Sequence, residues 1–305
     1  MNPSTTRRQL LGWLTLAGLS ACQSPPQAPP VTASTPSPAP AAPPKLPRPP
    51  RIGLALGGGA ARGFAHIGVI QVLEEAGIRP DLVVGTSAGS LVAALYAAGR
   101  SGTELARVAL AMDESAITDW SFPGRGMIRG EALARYVREQ SGNKLIEQMP
   151  LPLGIVATDL DSGLPMLFQR GDVGMAVRAS SAVPAVFQPV KIGTREYVDG
   201  GLVSPVPVRF ARQMGAELVI AVDISSPPDG NATSDPFKML LQTFAIMGKS
   251  INQFELKDAD LVLRPKLAGV SSADFSARKR AIDSGREAAL AGLAALRSRL
   301  AAMTH

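Results

Sequence analysis

The sequence DLVVGTSAG, residues 81–89, decides the fold. Its apolar first half predicts a buried strand, and Ser90–Gly99 predicts a helix directly after it. The GTSAG portion has the G-x-S-x-G pattern of a strained strand-to-helix turn that exposes a serine hydroxyl. Ser87 is therefore a candidate nucleophile, and Gly85 and Gly89 allow the tight bend. An ordinary glycine-rich turn is the alternative, because the pattern alone is not specific.

Outward from this turn, short apolar runs alternate with helical segments. Strands are predicted near residues 52–56, 153–160, 196–198, 218–222 and 261–264, and helices near 64–76, 103–112, 130–140, 172–179, 206–214, 238–256 and 277–301. Continuous apolar strands between helices predict an α/β fold whose mostly parallel sheet is covered on both faces. Gly57, Ser87 and Asp199 are each expected at the carboxyl end of a strand, where such sheets carry their sites.

The N-terminus has the features of a lipoprotein signal peptide, predicted over residues 1–21. Arg7 and Arg8 precede an apolar stretch that is too short to span a bilayer. Cys22, the sole cysteine of the chain, follows small residues and is the predicted lipid acceptor. A plain secretory signal is the alternative, and the arginine pair also resembles a twin-arginine export signal. By resemblance to known bacterial lipoproteins, Gln23 in place of aspartate favours the outer membrane over the inner one, with the domain facing the periplasm.

Residues 22–50 form a predicted lipid-anchored linker, and residues 51–305 form the predicted catalytic domain. Twelve of the linker positions are proline, which favours extended polyproline II and excludes a packed core. The whole chain has a net charge of +6, and it keeps +4 without the two signal arginines. This mild excess fits an anionic membrane surface and gives no reason to expect nucleic acid. The oligomeric state is left open.

A serine nucleophile needs a base, and the chain has two histidines. His305 is the last residue, and His66 precedes Ser87 and is expected to be a packed helix residue. A Ser-His-Asp triad is therefore not expected. Asp199, in a turn with Gly200 and Gly201, is the best-placed carboxylate, although a plain turn aspartate is the alternative. Three further aspartates at predicted strand ends compete with it: Asp159, Asp161 and Asp223.

The loop GGGAARG, residues 57–63, has two functional interpretations. Its backbone N–H groups could bind a phosphate or stabilise a developing oxyanion. The nucleotide interpretation is weaker, because Arg62 occupies the third glycine position of G-x-G-x-x-G and Asp81 precedes a strand. A second irregular segment, residues 113–129, holds Trp120, Phe122 and Met127. It is predicted to be either a lid or membrane-touching edge, or a contributor to the core.

Together, the 57–63 loop, the GTSAG turn and the Asp199-Gly200-Gly201 turn resemble the patatin-like phospholipase family. The segment RASSAVP, residues 178–184, is similar to another stretch of that family. The resemblance runs from about residue 52 to residue 222. One departure is Ala60, where the family loop often carries a further glycine.

The resemblance implies a three-layer α/β/α fold and a Ser-Asp dyad, with Ser87 as nucleophile and Asp199 as base. It implies an oxyanion hole from the N–H groups of Gly58 and Gly59, with Arg62 orienting the loop. The implied activity is hydrolysis of acyl esters of phospholipids or related lipids, without a metal or organic cofactor. A non-catalytic lipid-binding lipoprotein and a nucleotide-dependent enzyme remain the alternatives.

Overall fold

The computed structural model describes residues 48–120, 125–226, 235–271 and 274–304. In these ranges the strands are β1 (Ile52–Leu56), β2 (Leu82–Thr86), β3 (Gly126–Ile128), β4 (Leu153–Asp159), β5 (Pro165–Phe168), β6 (Ala185–Phe187), β7 (Val190–Ile192), β8 (Arg195–Asp199), β9 (Leu218–Val222) and β10 (Leu261–Leu263). The helices are α1 (Phe64–Glu75), α2 (Ala88–Ala97), α3 (Gly102–Ala111), α4 (Glu131–Gln140), α5 (Val173–Ser180), α6 (Val208–Gln213), α7 (Pro236–Glu255) and α8 (Arg278–Ala302).

The central sheet has the strand order β10-β9-β1-β2-β4-β8-β7, and β5 pairs with β4 outside this path. The five strands from β10 to β4 are parallel to their neighbours. The strands β1, β2, β4 and β9 are buried over their whole length. Burial on both faces explains why these runs are almost continuously apolar, with polar residues only at the carboxyl ends of β2 and β4. The predicted α/β fold with a mostly parallel sheet is confirmed.

Alternate side chains of the same strands supply two separate cores. Leu54 and Leu56 of β1 belong to a large cluster that includes side chains of α1, α2 and α8. Ala55, between them, belongs to a second cluster that includes Val208 and Phe210 of α6. Because successive strand residues point to opposite faces, these two clusters mark helical layers on both sides of the sheet.

The sheet departs from the expectation at its β4 side. There β8 runs antiparallel to β4, and β7 and β5 add two further antiparallel pairings. Asp199 ends β8 as expected, but this strand does not belong to the parallel set. Asp199 still reaches the carboxyl edge of the sheet, because β8 overlaps only the tip of β4, with Asp199 opposite Ala157. Val156, one residue earlier on β4, is the partner of Thr86 on β2.

Helix α7 is attached to the rest of the fold by few residues. It begins with Asp235, whose side chain accepts hydrogen bonds from the N–H groups of Phe237 and Lys238, and Pro236 occupies its first turn. Only Gly248, Asn252 and Glu255 are buried along its length. Most of this helix is therefore held at the surface.

Several expectations fall outside the described residues. These are the signal peptide, Cys22 with its lipidation, nearly all of the 22–50 linker, Phe122 and His305. They stay predictions. Among the helices that the structure describes, none has both the length and the apolar character that a bilayer crossing requires.

Candidate active site

The serine turn has the strained geometry that its sequence predicts. Ser87 lies between β2 and α2 with φ 53° and ψ −126°, a conformation that L-residues rarely adopt. A Cβ atom at Gly89 would lie 2.1 Å from the Leu56 carbonyl oxygen, so only glycine fits the approach of α2 to β1. The Oγ of Ser87 is therefore presented at the carboxyl edge of the sheet.

The Ser87 backbone is held by a serine that the sequence analysis did not select. The Ser87 N–H donates to Ser180 Oγ at 2.8 Å, and that hydroxyl donates to the Val156 carbonyl oxygen at 2.6 Å. Ser180 is fully buried at the end of α5. Ser180 lies in the 178–184 segment that resembles the family, but nothing in the sequence of that segment distinguished it from its neighbours.

The structure brings Ser87 and Asp199 into contact. Ser87 Oγ donates to Asp199 Oδ2 at 2.6 Å, and Asp199 Oδ1 accepts from the Gly201 N–H at 2.7 Å. Asp199 is buried, and burial raises the pKa of its carboxyl group to about 6, although the two hydrogen bonds act in the opposite direction. A carboxylate with this pKa is a much better proton acceptor near neutral pH than an exposed aspartate.

The turn that carries Asp199 is fixed from both sides. The Asp199 N–H donates to the Ala182 carbonyl at 3.0 Å, and its own carbonyl accepts from Thr158 Oγ1 at 2.8 Å. A Cβ atom at Gly200 would lie 2.2 Å from the Val156 carbonyl oxygen, so the chain passes closer to β4 than any other residue permits. These contacts hold the carboxylate in one position.

The competing carboxylates have other partners or no contact with the site. Asp159 accepts from the N–H and Oγ of Ser162 and pairs with Arg195 at 2.7 Å. The pKa of Asp159 is lowered to about 2, first by the backbone hydrogen bond from Ser162. Asp223 accepts from Ser225, and Asp161 is exposed. Neither lines the cavity that contains Ser87.

His66 lies beneath the glycine loop and does not contact Ser87. It is fully buried, and its Nε2 donates to the Gly57 carbonyl oxygen at 2.8 Å. Since a carbonyl can only accept, Nε2 carries the proton and Nδ1 is the unprotonated nitrogen. Burial lowers the pKa of His66 to about 4, so the ring is neutral at physiological pH. The expectation of a packed helix residue agrees with this position.

The glycine loop approaches Ser87 closely, but its N–H groups are not equally available. A Cβ atom at Gly58 would lie 3.1 Å from Ser87 Cβ. The N–H of Gly57 donates to Val222 at 3.1 Å, and the N–H of Gly58 donates to Pro205 at 2.9 Å. The N–H of Gly59 has no acceptor within the described ranges. Of the two predicted oxyanion donors, therefore, the Gly58 N–H is already hydrogen-bonded in this conformation. The Gly59 N–H is available within the described ranges.

Arg62 ties the loop to the segment after β9. Its guanidinium donates to the Ser225 carbonyl at 3.0 Å and to Ser226 Oγ, and its side chain is buried. The Arg62 N–H donates to the Gly59 carbonyl at 3.1 Å, which closes the loop on itself. Next to it, Ala60 has φ 51°, so it adopts the left-handed conformation that glycine would adopt without strain.

An apolar cavity of about 270 Å³ opens onto Ser87 and Asp199. The elements around it are the glycine loop, the Asp199 turn, the segment after α5 and helix α7. Its lining includes Gly58, Gly59, Pro184, Leu202, Leu241, Phe244 and Met247. No described residue of the 113–129 segment lines it. Trp120 in that segment is 64% exposed and is therefore not a core residue, and the lid or membrane-touching role of the segment stays a prediction. Within the described ranges, no group of three or more histidine, cysteine or acidic side chains has the arrangement of a metal site.

Comparisons with known proteins agree with this fold and geometry. A family model, described as patatin-like phospholipase, matches residues 54–212, just over half of the chain. The chain belongs to the patatin-like phospholipase family.

Relatives extend this assignment. An uncharacterised NTE family protein of Mycobacterium tuberculosis is 41% identical over 186 residues, which cover 60% of this chain and 51% of the relative. Mouse patatin-like phospholipase domain-containing protein 6 is 34% identical over 72% of this chain and 16% of its own length. The chain thus spans about half the length of the mycobacterial relative and a small part of the mouse one. The crystal structure of VipD from Legionella pneumophila shares the fold, with a TM-score of 0.56 at 14% identity over 82% of this chain and 68% of that one.

Proposed function

We propose that the protein is a serine hydrolase that cleaves acyl esters of phospholipids or related lipids, in the manner of a phospholipase A or lysophospholipase. The observation that carries the proposal is the 2.6 Å hydrogen bond from Ser87 Oγ to the buried Asp199 carboxylate. Nucleophile and base have to be within this distance for a proton to pass between them. Membership of the patatin-like family and the apolar lining of the cavity support a lipid substrate.

In the proposed mechanism, Asp199 removes the proton of Ser87 while Oγ attacks the ester carbonyl carbon. The carbonyl oxygen becomes an oxyanion, and the N–H of Gly59 and the N-terminal end of α2 behind Ser87 would stabilise it. The Gly58 N–H joins them only if it leaves the Pro205 carbonyl. Asp199 returns the proton to the departing alcohol, and an acyl-serine remains. Water, activated by the same carboxylate, then releases the fatty acid and restores the hydroxyl.

The cellular setting is part of the proposal. A lipid on Cys22 and the proline-rich 22–50 segment would tether the domain to a bacterial membrane, with the outer membrane favoured. Residues of that segment at ~3.1 Å each would let the domain work up to ~80 Å from its anchor. Such a tether would keep a lipid hydrolase close to its substrate.

The experiment is labelling of the purified chain with a fluorophosphonate probe, followed by mass spectrometry to find the modified residue. The proposal predicts adduct formation on Ser87, none in Ser87→Ala, and turnover of a phospholipid and of a short-chain ester by the parent chain. Asp199→Asn should lose ester turnover, because its amide cannot take the Ser87 proton. Asp161→Asn is the matched control and should stay active, because Asp161 is an exposed aspartate outside the cavity. A folded parent chain that is neither labelled nor active would overturn the proposal in favour of the non-catalytic lipid-binding alternative.

A further inference from the structure

Helix α7 carries an unusual concentration of exposed apolar side chains. Eleven large apolar residues of the described chain are exposed, and five of them lie on this helix: Met239, Leu241, Ile246, Met247 and Phe254. Scattered single residues of this kind are normal on protein surfaces, but a cluster on one helix is not. The cluster is therefore a candidate binding surface.

The same helix forms one wall of the cavity that contains Ser87. Leu241, Phe244 and Met247 line the cavity. Met239 and Ile246 do not, and they are seven residues apart, which places them on the same side of a helix. Ile246 precedes the buried Gly248 by two residues, a rotation of about 200° that points it away from the fold. Exposed apolar side chains thus continue from the mouth of the cavity onto the outer side of α7.

The charges on α7 fit an anionic partner. Residues 236–254 contain two lysines, Lys238 and Lys249, and no aspartate or glutamate. Both lysines are exposed. The acidic side chains at the ends of the helix are the exposed Asp235, which caps the first turn, and Glu255, which is buried. Apart from its capping aspartate, the helix exposes apolar and cationic side chains, which is the composition of helices that lie in the headgroup region of a bilayer.

We propose that the outer side of α7, with Met239, Ile246 and the two lysines, docks on the surface of an anionic lipid bilayer and places the mouth of the catalytic cavity against it. The inference rests on the proposed function, because a hydrolase of membrane lipids has to receive its substrate from such a surface. Docking would bury the half-exposed Met239 and Ile246 side chains among the headgroups. An acyl chain could then pass from the bilayer along Leu241 and Met247 towards Ser87.

The first test measures docking without catalysis. Cys22 is the only cysteine, so Cys22→Ser gives a full-length background in which an environment-sensitive fluorophore is attached to Ile246→Cys or to Leu290→Cys. Leu290 is a matched site, since it is 54% exposed on α8 against 50% for Ile246 on α7. With vesicles of phosphatidylcholine and phosphatidylglycerol, the Ile246 probe should gain emission about twofold or more and become shielded from iodide. The Leu290 probe should not change.

The second test measures function with residues outside the cavity. Met239→Ser combined with Ile246→Ser should lower hydrolysis of anionic vesicle phospholipid by about tenfold and leave turnover of a soluble short-chain ester unchanged. The matched control, Leu110→Ser combined with Leu290→Ser, removes two equally exposed apolar side chains from α3 and α8 and should change neither activity.

The outcomes separate this inference from the proposed function. A probe response at Ile246 in a Ser87→Ala chain supports docking even if the parent hydrolyses no lipid, in which case only the proposed function fails. An Ile246 probe that ignores vesicles overturns the docking inference. So does a response that depends on protein concentration without vesicles, because α7 would then bind a second copy of the chain.

Discussion

The cavity that contains Ser87 has two walls that differ in how firmly they are built. The elbow wall consists of Gly58, Gly59, Ser87 and Asp199, and it is backed by the fully buried strands β2 and β4. The α7 wall consists of Leu241, Phe244 and Met247, on a helix with three buried residues. The elbow wall suits groups that have to keep a fixed geometry during catalysis. The α7 wall has the few buried contacts typical of regions that move.

Hydrogen bonding separates the two walls in the same way. On the elbow wall, Ser87 Oγ and both carboxylate oxygens of Asp199 have partners. Behind the α7 wall, both amide atoms of Asn252 and one oxygen of Glu255 are buried without a partner among the described residues. The other Glu255 oxygen lies 2.5 Å from Ser204 Oγ and 3.6 Å from Arg209 Nε, and burial raises the pKa of this carboxyl group to about 6. Unpaired buried polar atoms weaken the attachment of α7 to the fold.

The largest expected effect comes from removing the base of the elbow wall. Asp199→Asn should lower the rate of ester hydrolysis by about 10³-fold, since a neutral amide cannot take the Ser87 proton. The same change should raise the free energy of unfolding at pH 7 by about 1–3 kcal/mol, because the folded chain no longer buries a charge. Steady-state kinetics and urea unfolding measure the two effects. Loss of activity together with loss of stability would mean that Asp199 is a structural residue.

The pH dependence of the rate should report the same carboxylate. The pKa of Asp199 is raised from 3.8 to about 6 by burial, and only the ionised form accepts a proton. The value of kcat/KM should therefore fall about tenfold per pH unit below pH 6 and be flat above it. A profile measured on a soluble ester avoids effects of pH on vesicles. A rate that is constant from pH 7 down to pH 5 would exclude Asp199 as the base.

The stability contributions of Asp199 and His66 should have opposite pH dependence. A raised folded pKa means that the Asp199 contribution is greatest below pH 3.8 and is lost as the pH rises through 6. His66 has a folded pKa of about 4 against 6.5 when unfolded, so its contribution is full above 6.5 and is lost as the pH falls through 4. Each amounts to about 3 kcal/mol. Unfolding of Asp199→Asn should thus show a steeper loss of stability on acidification than the parent chain.

His66 also offers a test of how the elbow wall is supported. His66→Ala leaves the Gly57 carbonyl unpaired and opens a buried space, so the free energy of unfolding should fall by about 3 kcal/mol. His66→Gln retains an N–H donor at a similar distance from the backbone and should lose about 1 kcal/mol. If the two variants were equally stable, the hydrogen bond to Gly57 would not be what holds the loop.

Behind the α7 wall, removal of the unpaired Asn252 amide should stabilise the protein. Asn252→Leu replaces a buried amide that has no partner in the described ranges by an apolar group of similar size, which should add about 1 kcal/mol to the free energy of unfolding. The neighbouring Gln253 is exposed, so Gln253→Leu is the matched control and should change stability little. A destabilised Asn252→Leu would show that the amide has a partner that α7 needs.

The sequence predicted the parallel half of the fold well, for a physical reason. Strands such as β2 and β9 are buried on both faces, so their apolar runs are continuous and easy to recognise. The direction of β8 was not predictable, because Glu196–Val198 specifies a strand but not its partner. The short strands β5 and β7 were missed for the same reason. The residues of β5 are half-buried and those of β7 range from buried to exposed, so neither forms a continuous apolar run, and both depend on pairing with other segments.

The sequence also predicted only part of the candidate site. The structure brings Ser87 and Asp199 together as the motifs indicated, and their catalytic roles stay predictions until they are tested. The sequence analysis did not find Ser180, which supports Ser87 through a long-range hydrogen bond. Residues 113–129, where aromatic residues stand out, were predicted to be a lid or membrane-touching edge, or part of the core. The exposed apolar residues that line the cavity lie on α7, and the sequence analysis did not select them because exposure depends on packing that periodicity does not show.

The smallest expected effect concerns the departure at Ala60. Its φ of 51° is a left-handed conformation that costs an alanine about 1–2 kcal/mol, whereas glycine adopts it freely. Ala60→Gly should relieve this strain, but part of the stabilisation is lost because glycine loses about 0.5–1 kcal/mol more in conformational entropy on folding. The free energy of unfolding should therefore rise by about 0.5–1 kcal/mol. Ala61, the next residue, has no positive φ and is buried, so Ala61→Gly should instead destabilise the chain. Equal losses in both variants would mean that the loop carries no strain at Ala60, and that the elbow wall is relaxed apart from Ser87.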